Sequence, residues 1–344
     1  MMIKRIIFVL TVLVSVNAYA QTVAAKYAGE FLAIGVGGRP AGMGGAFTAL
    51  SNDVTGAYYN PAGLAQINFP QIGLMHDERF GNLVNYNYGA VAIPYGKDYT
   101  VALSIMRLGV DGIPDTRNAL VDKVTGNVIY DIYNENARID PSKVKEFNNQ
   151  DWALYFSVAK QQSEDMSFGV NVKVIRRSIA EFSAFGIGFD AGMLYKASEN
   201  LALGVSLQDV TTTLVSWSTG RNELITPTLK IGSMYYFKPF ESLRLSPALD
   251  FDIRFENRKF ASSFNVGPVS FDPHLGLEAM YNNVFAIRAG YNDVKQITIG
   301  AGIKLPKLNI DYSFARFALS EEDRLPDTHR ISVIITLEQP KFAR

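Results

Sequence analysis

Leu243–Glu256 reads LRLSPALDFDIRFE, and its alternate residues divide into two chemistries. Leu243, Leu245, Leu249, Phe251, Ile253 and Phe255 fall on one side of an extended strand, while Arg244, Ser246, Asp250, Asp252, Arg254 and Glu256 fall on the other. Strand side chains alternate with period two, whereas a helix would scatter these residues around its circumference. One apolar face and one charged face suit a wall between hydrocarbon and water, which a tilted strand of about nine to eleven residues crosses. Read alone, the stretch fits the half-buried strand of a soluble sandwich equally well. The rest of the chain decides.

The same alternation recurs. Ile297, Ile299, Ala301, Ile303 and Leu305 alternate with Gln296, Thr298, Gly300, Gly302 and Lys304, and Leu308, Ile310, Tyr312 and Phe314 with Asn309, Asp311, Ser313 and Ala315. Phe185, Ile187, Phe189, Ala191 and Met193 alternate with Gly186, Gly188, Asp190 and Gly192. The polar face carries glycine and charges of both signs, as a hydrated or filled lumen would. Reading alternation against turn signals places about fourteen strands between residues 71 and 338, the ninth being Leu243–Glu256. The expected fold is all-β, a transmembrane antiparallel barrel with an even strand number. Short turns at Pro94–Asp98, Gln162–Glu164, Ser198–Glu199, Pro239–Phe240, Asn283 and Pro306 alternate with longer links. Those links are Glu78–Val84, Ile113–Asn149, Arg177–Phe182, Val210–Ile225, Arg258–Ser270 and Leu319–Asp327, with the Asn292–Asp293 link short where the pattern asks for a long one. Short periplasmic turns and long external loops give a barrel this rhythm.

Residues 1–20 read as a signal peptide: Lys4 and Arg5, an apolar core Ile6–Val16, then Ala18-Tyr19-Ala20 before Gln21. The expected organisation is signal peptide 1–20, an N-terminal plug or hatch 21–70, the barrel 71–338 and a polar tail 339–344, placed in a bacterial outer membrane against its lipid. Cysteine is absent, so neither a lipid anchor nor thiol chemistry is expected. Thirty-three basic and thirty-three acidic residues balance, which argues against a dedicated nucleic-acid binder. His76, His274 and His329 fall in no metal spacing and no nucleophile elbow occurs. No cofactor, metal or catalytic residue is expected. His274 and Glu278 share one strand face as a lumen pair, expected to be hydrated. The lumen-facing charges Arg244, Asp250, Asp252, Arg254, Glu256 and Glu278 are expected to pair with neighbouring strands and stiffen the lumen. A charge at Phe251 should impair folding, and Asp252→Asn should be tolerated. The acidic run Ser320–Asp323 is a weak candidate for a cation or lipopolysaccharide.

Gly35–Ile67 is rich in glycine but lacks the spacing and βαβ context of a dinucleotide loop. Its glycines permit positive φ and close backbone approach, and Asn60-Pro61-Ala62-Gly63 reads as a tight turn. Arg39-Pro40-Ala41-Gly42-Met43-Gly44-Gly45-Ala46-Phe47, Ser51-Asn52-Asp53 and Tyr58-Tyr59-Asn60-Pro61-Ala62-Gly63-Leu64 together resemble the opening of the PorV/PorQ family, which is related to FadL-like outer-membrane transporters. The resemblance implies a fourteen-stranded barrel with an N-terminal hatch, in which Gly42, Gly44, Gly45, Asp53, Asn60, Pro61, Ala62 and Gly63 would be structural. It implies one of two roles. PorV-like members receive secreted cargo through its C-terminal signal domain together with type IX secretion components. FadL-like members carry fatty acids or other hydrophobic ligands. A structural barrel without transport is the third reading. One departure is the C-terminus, where a polar tail follows the alternating Ile331, Val333, Ile335 and Leu337.

Overall fold

The computed structural model describes residues 29–81, 83–256, 262–317 and 327–337. Residues 1–20, read above as a signal peptide, residues 21–28, the run Ser320–Asp323 and the tail 339–344 lie outside the described residues. Period-two patterning yields an antiparallel sheet that closes on itself. The wall strands are β1 (Gln71–Arg79), β2 (Val84–Tyr95), β3 (Tyr99–Asp115), β4 (Lys145–Gln161), β5 (Met166–Ile179), β6 (Phe182–Lys196) and β7 (Leu201–Gln208). They continue as β8 (Thr228–Tyr235), β9 (Leu243–Arg254), β10 (Val269–Tyr281), β11 (Phe285–Tyr291), β12 (Gln296–Lys304), β13 (Leu308–Phe317) and β14 (Thr328–Thr336). Each strand pairs with its sequence neighbours, and β14 returns to β1 from Gln71↔Thr336 to Glu78↔His329. Among the described residues, closure gives every wall strand a partner on both sides, as a sheet in lipid requires. Four short segments, Thr213–Trp217, Asn222–Ile225, Phe237–Phe240 and Phe264–Val266, pair at the rims and add no wall strand, so the barrel has fourteen.

Leu243–Glu256 supplies the ninth strand, as its alternation predicts. Ser246, Ala248, Asp250 and Asp252 are buried inside, while Pro247, Leu249, Phe251 and Ile253 alternate outward. Elsewhere the outward face carries exposed apolar side chains such as Leu103, Phe156, Phe189, Leu275 and Ile299. A continuous band of this kind on a closed wall belongs in hydrocarbon.

The link lengths differ from the expected rhythm. β5 and β6 are joined by Ala180 and Glu181 alone, with Ala180 at φ +49°, and β1 and β2 by residues 80–83. The strands extend further than alternation against turns suggests, because hairpins continue beyond the membrane-facing band. β3 and β4 likewise run to Asp115 and back from Lys145. The long loop therefore spans 116–144 and holds its own ribbon, Leu120–Asp122 against Ala137–Ile139.

The core lies inside the cylinder. Residues 30–67 form short helical turns at Glu30–Ile34, Gly38–Gly42, Gly56–Tyr59 and Pro61–Gln66. Val36, Met43, Phe47, Leu50, Val54 and Leu64 from this segment are fully buried. Phe47 and Tyr58 each meet Tyr59 edge-on, with ring centroids 5.3 and 4.7 Å apart. The wall's inward glycines make room for it. A Cβ at Gly169 would lie 2.2 Å from the Pro61 carbonyl carbon, and one at Gly204 would lie 2.4 Å from the Thr48 oxygen. Backbone meets backbone there, which explains why the polar strand faces are rich in glycine.

Candidate functional site

The motif residues of the N-terminal segment fix its own turns and attach it to the wall. Asn60 caps the turn that follows: its Oδ1 accepts from the Ala62 N–H at 3.2 Å, and Pro61 occupies the first position, where no amide is needed. The Asn60 amide donates to the Thr48 carbonyl at 2.9 Å and to the Met193 carbonyl of β6 at 3.1 Å. The Ala62 carbonyl accepts from Ser167 Oγ on β5. Gly63 lies against Ser51, whose carbonyl oxygen would be 2.4 Å from an added Cβ. Gly42 presents its carbonyl to Thr298 Oγ1 at 3.2 Å, and Gly44 presents its own to His274 Nδ1 at 2.8 Å. Gly44 has φ +64°, and a Cβ there would lie 2.6 Å from the Tyr291 nitrogen. Gly45, with φ +84°, packs on the His274 ring. Asp53 accepts from the Thr55 N–H at 2.9 Å and faces Arg39 at 3.7 Å.

The lumen charges hold this segment. Asp250 Oδ2 accepts the backbone N–H groups of Phe47 and Thr48 at 2.9 and 2.7 Å. Neighbour-strand pairing is therefore not its task, contrary to the expectation. Glu278 receives Arg39 from the segment and Arg288 from β11, both at 2.8 Å, and Arg288 also reaches Asp311 at 2.7 Å. Asp252 does pair across strands, with Lys230 at 2.6 Å and His274 at 3.6 Å; Arg254 of its own strand also approaches it at 3.4 Å and continues across to Asp272 at 3.1 Å. Arg244 departs from the expectation by stacking over Tyr236 and contacting Met280 Sδ at 3.2 Å. Glu256 accepts from Thr226 Oγ1. His274 and Glu278 form no pair. The imidazole packs against Gly44 and Asp252 at the edge of the interior cavity, and the carboxylate is fully buried against two arginines, so Glu278 is not the hydrated lumen group expected.

Two further clusters escape motif reading. Lys173 is buried between Asp190 at 2.9 Å and Asp209 at 2.8 Å. Arg330 on β14 donates to Asp77 on β1 at 2.7 Å, across the seam where the barrel closes, and Asp77 also accepts from Arg79 at 3.1 Å. Their only sequence signal is that Lys173, Asp190, Asp77 and Arg330 fall on inward positions. Buried ions need such partners, because each lost partner leaves a charge that water cannot reach. A cavity of about 390 Å³ remains inside, bordered by Tyr58, Tyr59, Lys173, Lys230, Arg254 and Asp252. Among the described residues, no cluster of three or more acidic, histidine or cysteine side chains has metal-site geometry.

Outside the wall, Arg117 links the base of the 116–144 loop to Asp115 at 2.8 Å and to Glu181 of the β5–β6 turn at 2.7 Å. The guanidinium holds the Glu181 carboxyl below its ordinary range.

A closed fourteen-stranded wall with an apolar exterior and a charged, filled interior defines a membrane β-barrel. Residues 132–335, more than half of the chain, match the family model described as type IX secretion system membrane protein PorP/SprF, and the chain belongs to that family. Residues 9–92 match a second model, an uncharacterised protein family (UPF0164), and the glycine-rich opening falls within that match. A search of curated proteins found no match. Similar solved structures are the CymD monoaromatic hydrocarbon channel (TM-score 0.60, 13% identity, 89% of this chain and 98% of that one), the Ralstonia pickettii toluene transporter TbuX (0.57, 13%, 88% and 99%) and a Pseudomonas aeruginosa FadL homologue (0.52, 14%, 93% and 100%). At such identities these likenesses show the FadL-like fold and nothing of its cargo.

Proposed function

We propose that the chain is an outer-membrane component of type IX secretion that works at its external loops, with the lumen closed by residues 29–67 acting as a plug. The observation that carries this reading is the family match over 132–335, which spans most of the wall and the loops between its strands. In this reading the protein handles secreted cargo bearing C-terminal signal domains, as the PorV/PorQ resemblance of Gly35–Ile67 implies. The 116–144 loop supports it. Tyr130 and Tyr133 are 86% and 92% exposed, and large aromatic side chains held in water suit a protein partner. Gly42, Gly44, Gly45, Asp53, Asn60, Pro61, Ala62 and Gly63 serve the plug as structural residues in this account. Deleting the gene is expected to abolish surface delivery of proteins with type IX signal domains, and unchanged delivery overturns the reading.

The structural neighbours favour a second reading, transport of a hydrophobic small molecule through the lumen. The interior weighs against it, because the remaining cavity is bordered by Lys173, Lys230, Arg254, Arg330, Asp209 and Asp252. An apolar solute entering there would lie against charged groups and satisfy none of their hydrogen bonds. Photo-crosslinking followed by mass spectrometry of gently purified protein distinguishes the two: a stoichiometric hydrophobic ligand crosslinked to lumen-facing residues such as Tyr155 would favour transport.

A further inference from the structure

On the outer face, where β14, β1, β2 and β3 lie side by side, the wall carries a groove of about 510 Å³. Its floor is apolar, made by Leu74, Gly89, Ile105 and Ile331. Gly89 points outward on a face where its strand neighbours Val91 and Ile93 present large side chains, and the missing side chain creates the slot. A Cβ added there would meet only ordinary contacts, 3.6 Å to Ile105 and 3.8 Å to Leu74, so packing does not require the glycine.

The groove changes chemistry at one end. Asn87 and Arg107 face each other across β2 and β3, with His76 paired to Asn87 on β1 and Trp152 paired to Arg107 on β4. His76 Nδ1 lies 2.7 Å from Asn87 Oδ1; with the ring donating, the Asn87 amide keeps its NH₂ group as the remaining donor. The Arg107 guanidinium stacks 5.6 Å over Trp152, and its contact with the half-exposed Asp111 is long, at 3.6 Å. These polar groups sit eight positions from the Tyr95–Tyr99 turn. At about 3.3 Å per residue that is about 26 Å along the strand. At the usual tilt it is about 20 Å of depth, close to the full height of an apolar band of about 25 Å. The donors therefore lie at headgroup level, and the slot descends from them into the hydrocarbon. Tryptophan and arginine favour this interface, and a guanidinium binds phosphate with two parallel hydrogen bonds.

We infer that this groove holds one phosphate-headed lipid, its acyl chain in the slot over Gly89 and its phosphate between Arg107 and Asn87. The charge and shape both fit that occupant: a cation and an amide donor at interface depth, continuous with a narrow apolar trough. The acidic neighbours Glu78 and Asp111 flank the donors and face outward, 55% and 50% exposed.

The test uses the full-length protein purified in neutral detergent, with native mass spectrometry after adding dioleoylphosphatidylglycerol. One bound lipid is expected to persist, dioleoylglycerol is not retained in its place, and inorganic phosphate does not displace it. Gly89→Leu fills the slot and Arg107→Gln removes the charge; each should weaken retention by about tenfold, which for Arg107→Gln is the loss expected for a hydrogen bond to a charged group. Ala301→Leu, on the outward face of β12, should leave retention unchanged. Equal retention in all variants overturns the site. Equal retention of dioleoylglycerol, displacement by inorganic phosphate, or a stoichiometric protein co-purifying in place of lipid each overturns the proposed occupant. Heat-modifiable gel mobility checks that each barrel is closed; should Gly89→Leu fail that check, Arg107→Gln decides alone.

Discussion

The lumen segment and the 116–144 loop both lie outside the wall ladder, yet they are held in opposite ways. Phe47 and Val54 of the lumen segment are fully buried, and its arginine and amide groups end on buried carboxylates. The loop carries Tyr130 and Tyr133 almost fully in water and is tied at its base by the solvent-exposed Arg117. Ion pairs of similar length therefore differ in consequence. In the lumen, loss of one partner strands a charge away from water; at the surface, water replaces it. The lumen segment is built to stay, and the loop is free to meet something else.

The largest effect should come from stranding charge. Glu278→Gln leaves Arg39 and Arg288 facing a neutral amide, and Asp252→Asn does the same to Lys230, Arg254 and His274. Each should destabilise by about 3–5 kcal/mol, read as a lowered urea midpoint in detergent or liposomes. Alternation alone treats Asp252→Asn as neutral; the two cations and the imidazole around it reverse that expectation. Next, Phe251→Arg on the outward face of β9 should cost about 2–4 kcal/mol in lipid, depending on depth, read as a lower folded fraction in vesicles. Asn60→Ala should cost about 1–2 kcal/mol by losing the cap, with the Thr48 and Met193 carbonyls also released, seen as faster hydrogen exchange in residues 56–67.

At the small end, Arg117→Gln should leave the unfolding midpoint unchanged while accelerating proteolysis within 116–144. The same tie has a pH signature. The folded pKa of Glu181 is depressed, so its contribution is fully present above the unfolded value of about 4.3 and is lost as pH falls through the lower folded value. Loop cleavage by an acid-active protease should therefore rise below about pH 4 in the natural protein, and should change little with pH in Arg117→Gln. If the loop is cleaved no faster in the variant, or if Glu278→Gln is harmless, the contrast between the two regions fails.

The wall was legible because alternation over nine or more residues survives any choice of turns, as in Leu243–Arg254 and Phe182–Lys196. The ends of strands were harder. Arg177–Phe182 looks like a loop because Arg177, Ser178, Ala180 and Glu181 interrupt the apolar alternation, yet the ladder pairs Arg177 with Ala184 and Ile179 with Phe182. Strand beyond the membrane no longer needs an apolar face, so periodicity fades before pairing does. Inward direction could be read for Asp250 and Glu278, but their partners could not. Strand position says which side a charge faces and nothing of which segment crosses the lumen to meet it. Arg39 and the amides of Phe47 and Thr48 lie about two hundred residues or more from the carboxylates that bind them. The outward cluster of His76, Asn87 and Arg107 was hidden for another reason, since each residue alone reads as a lapse in alternation.

Arg330 and Ser332 on the last strand reach residues that left the ribosome near the beginning: Arg330 binds Asp77, and Ser332 Oγ accepts from the Gly38 N–H at 2.8 Å. The seam between β1 and β14 and the seating of the lumen segment are thus finished by the same strand. Contacts so distant along the chain are the slowest to form, because the whole intervening loop must be ordered first. Assembly accordingly ends with a single test of completeness: a chain that stops short of β14 would lack both its closing edge and the grip on its own interior, and would be recognisable to quality control as unfinished on either count.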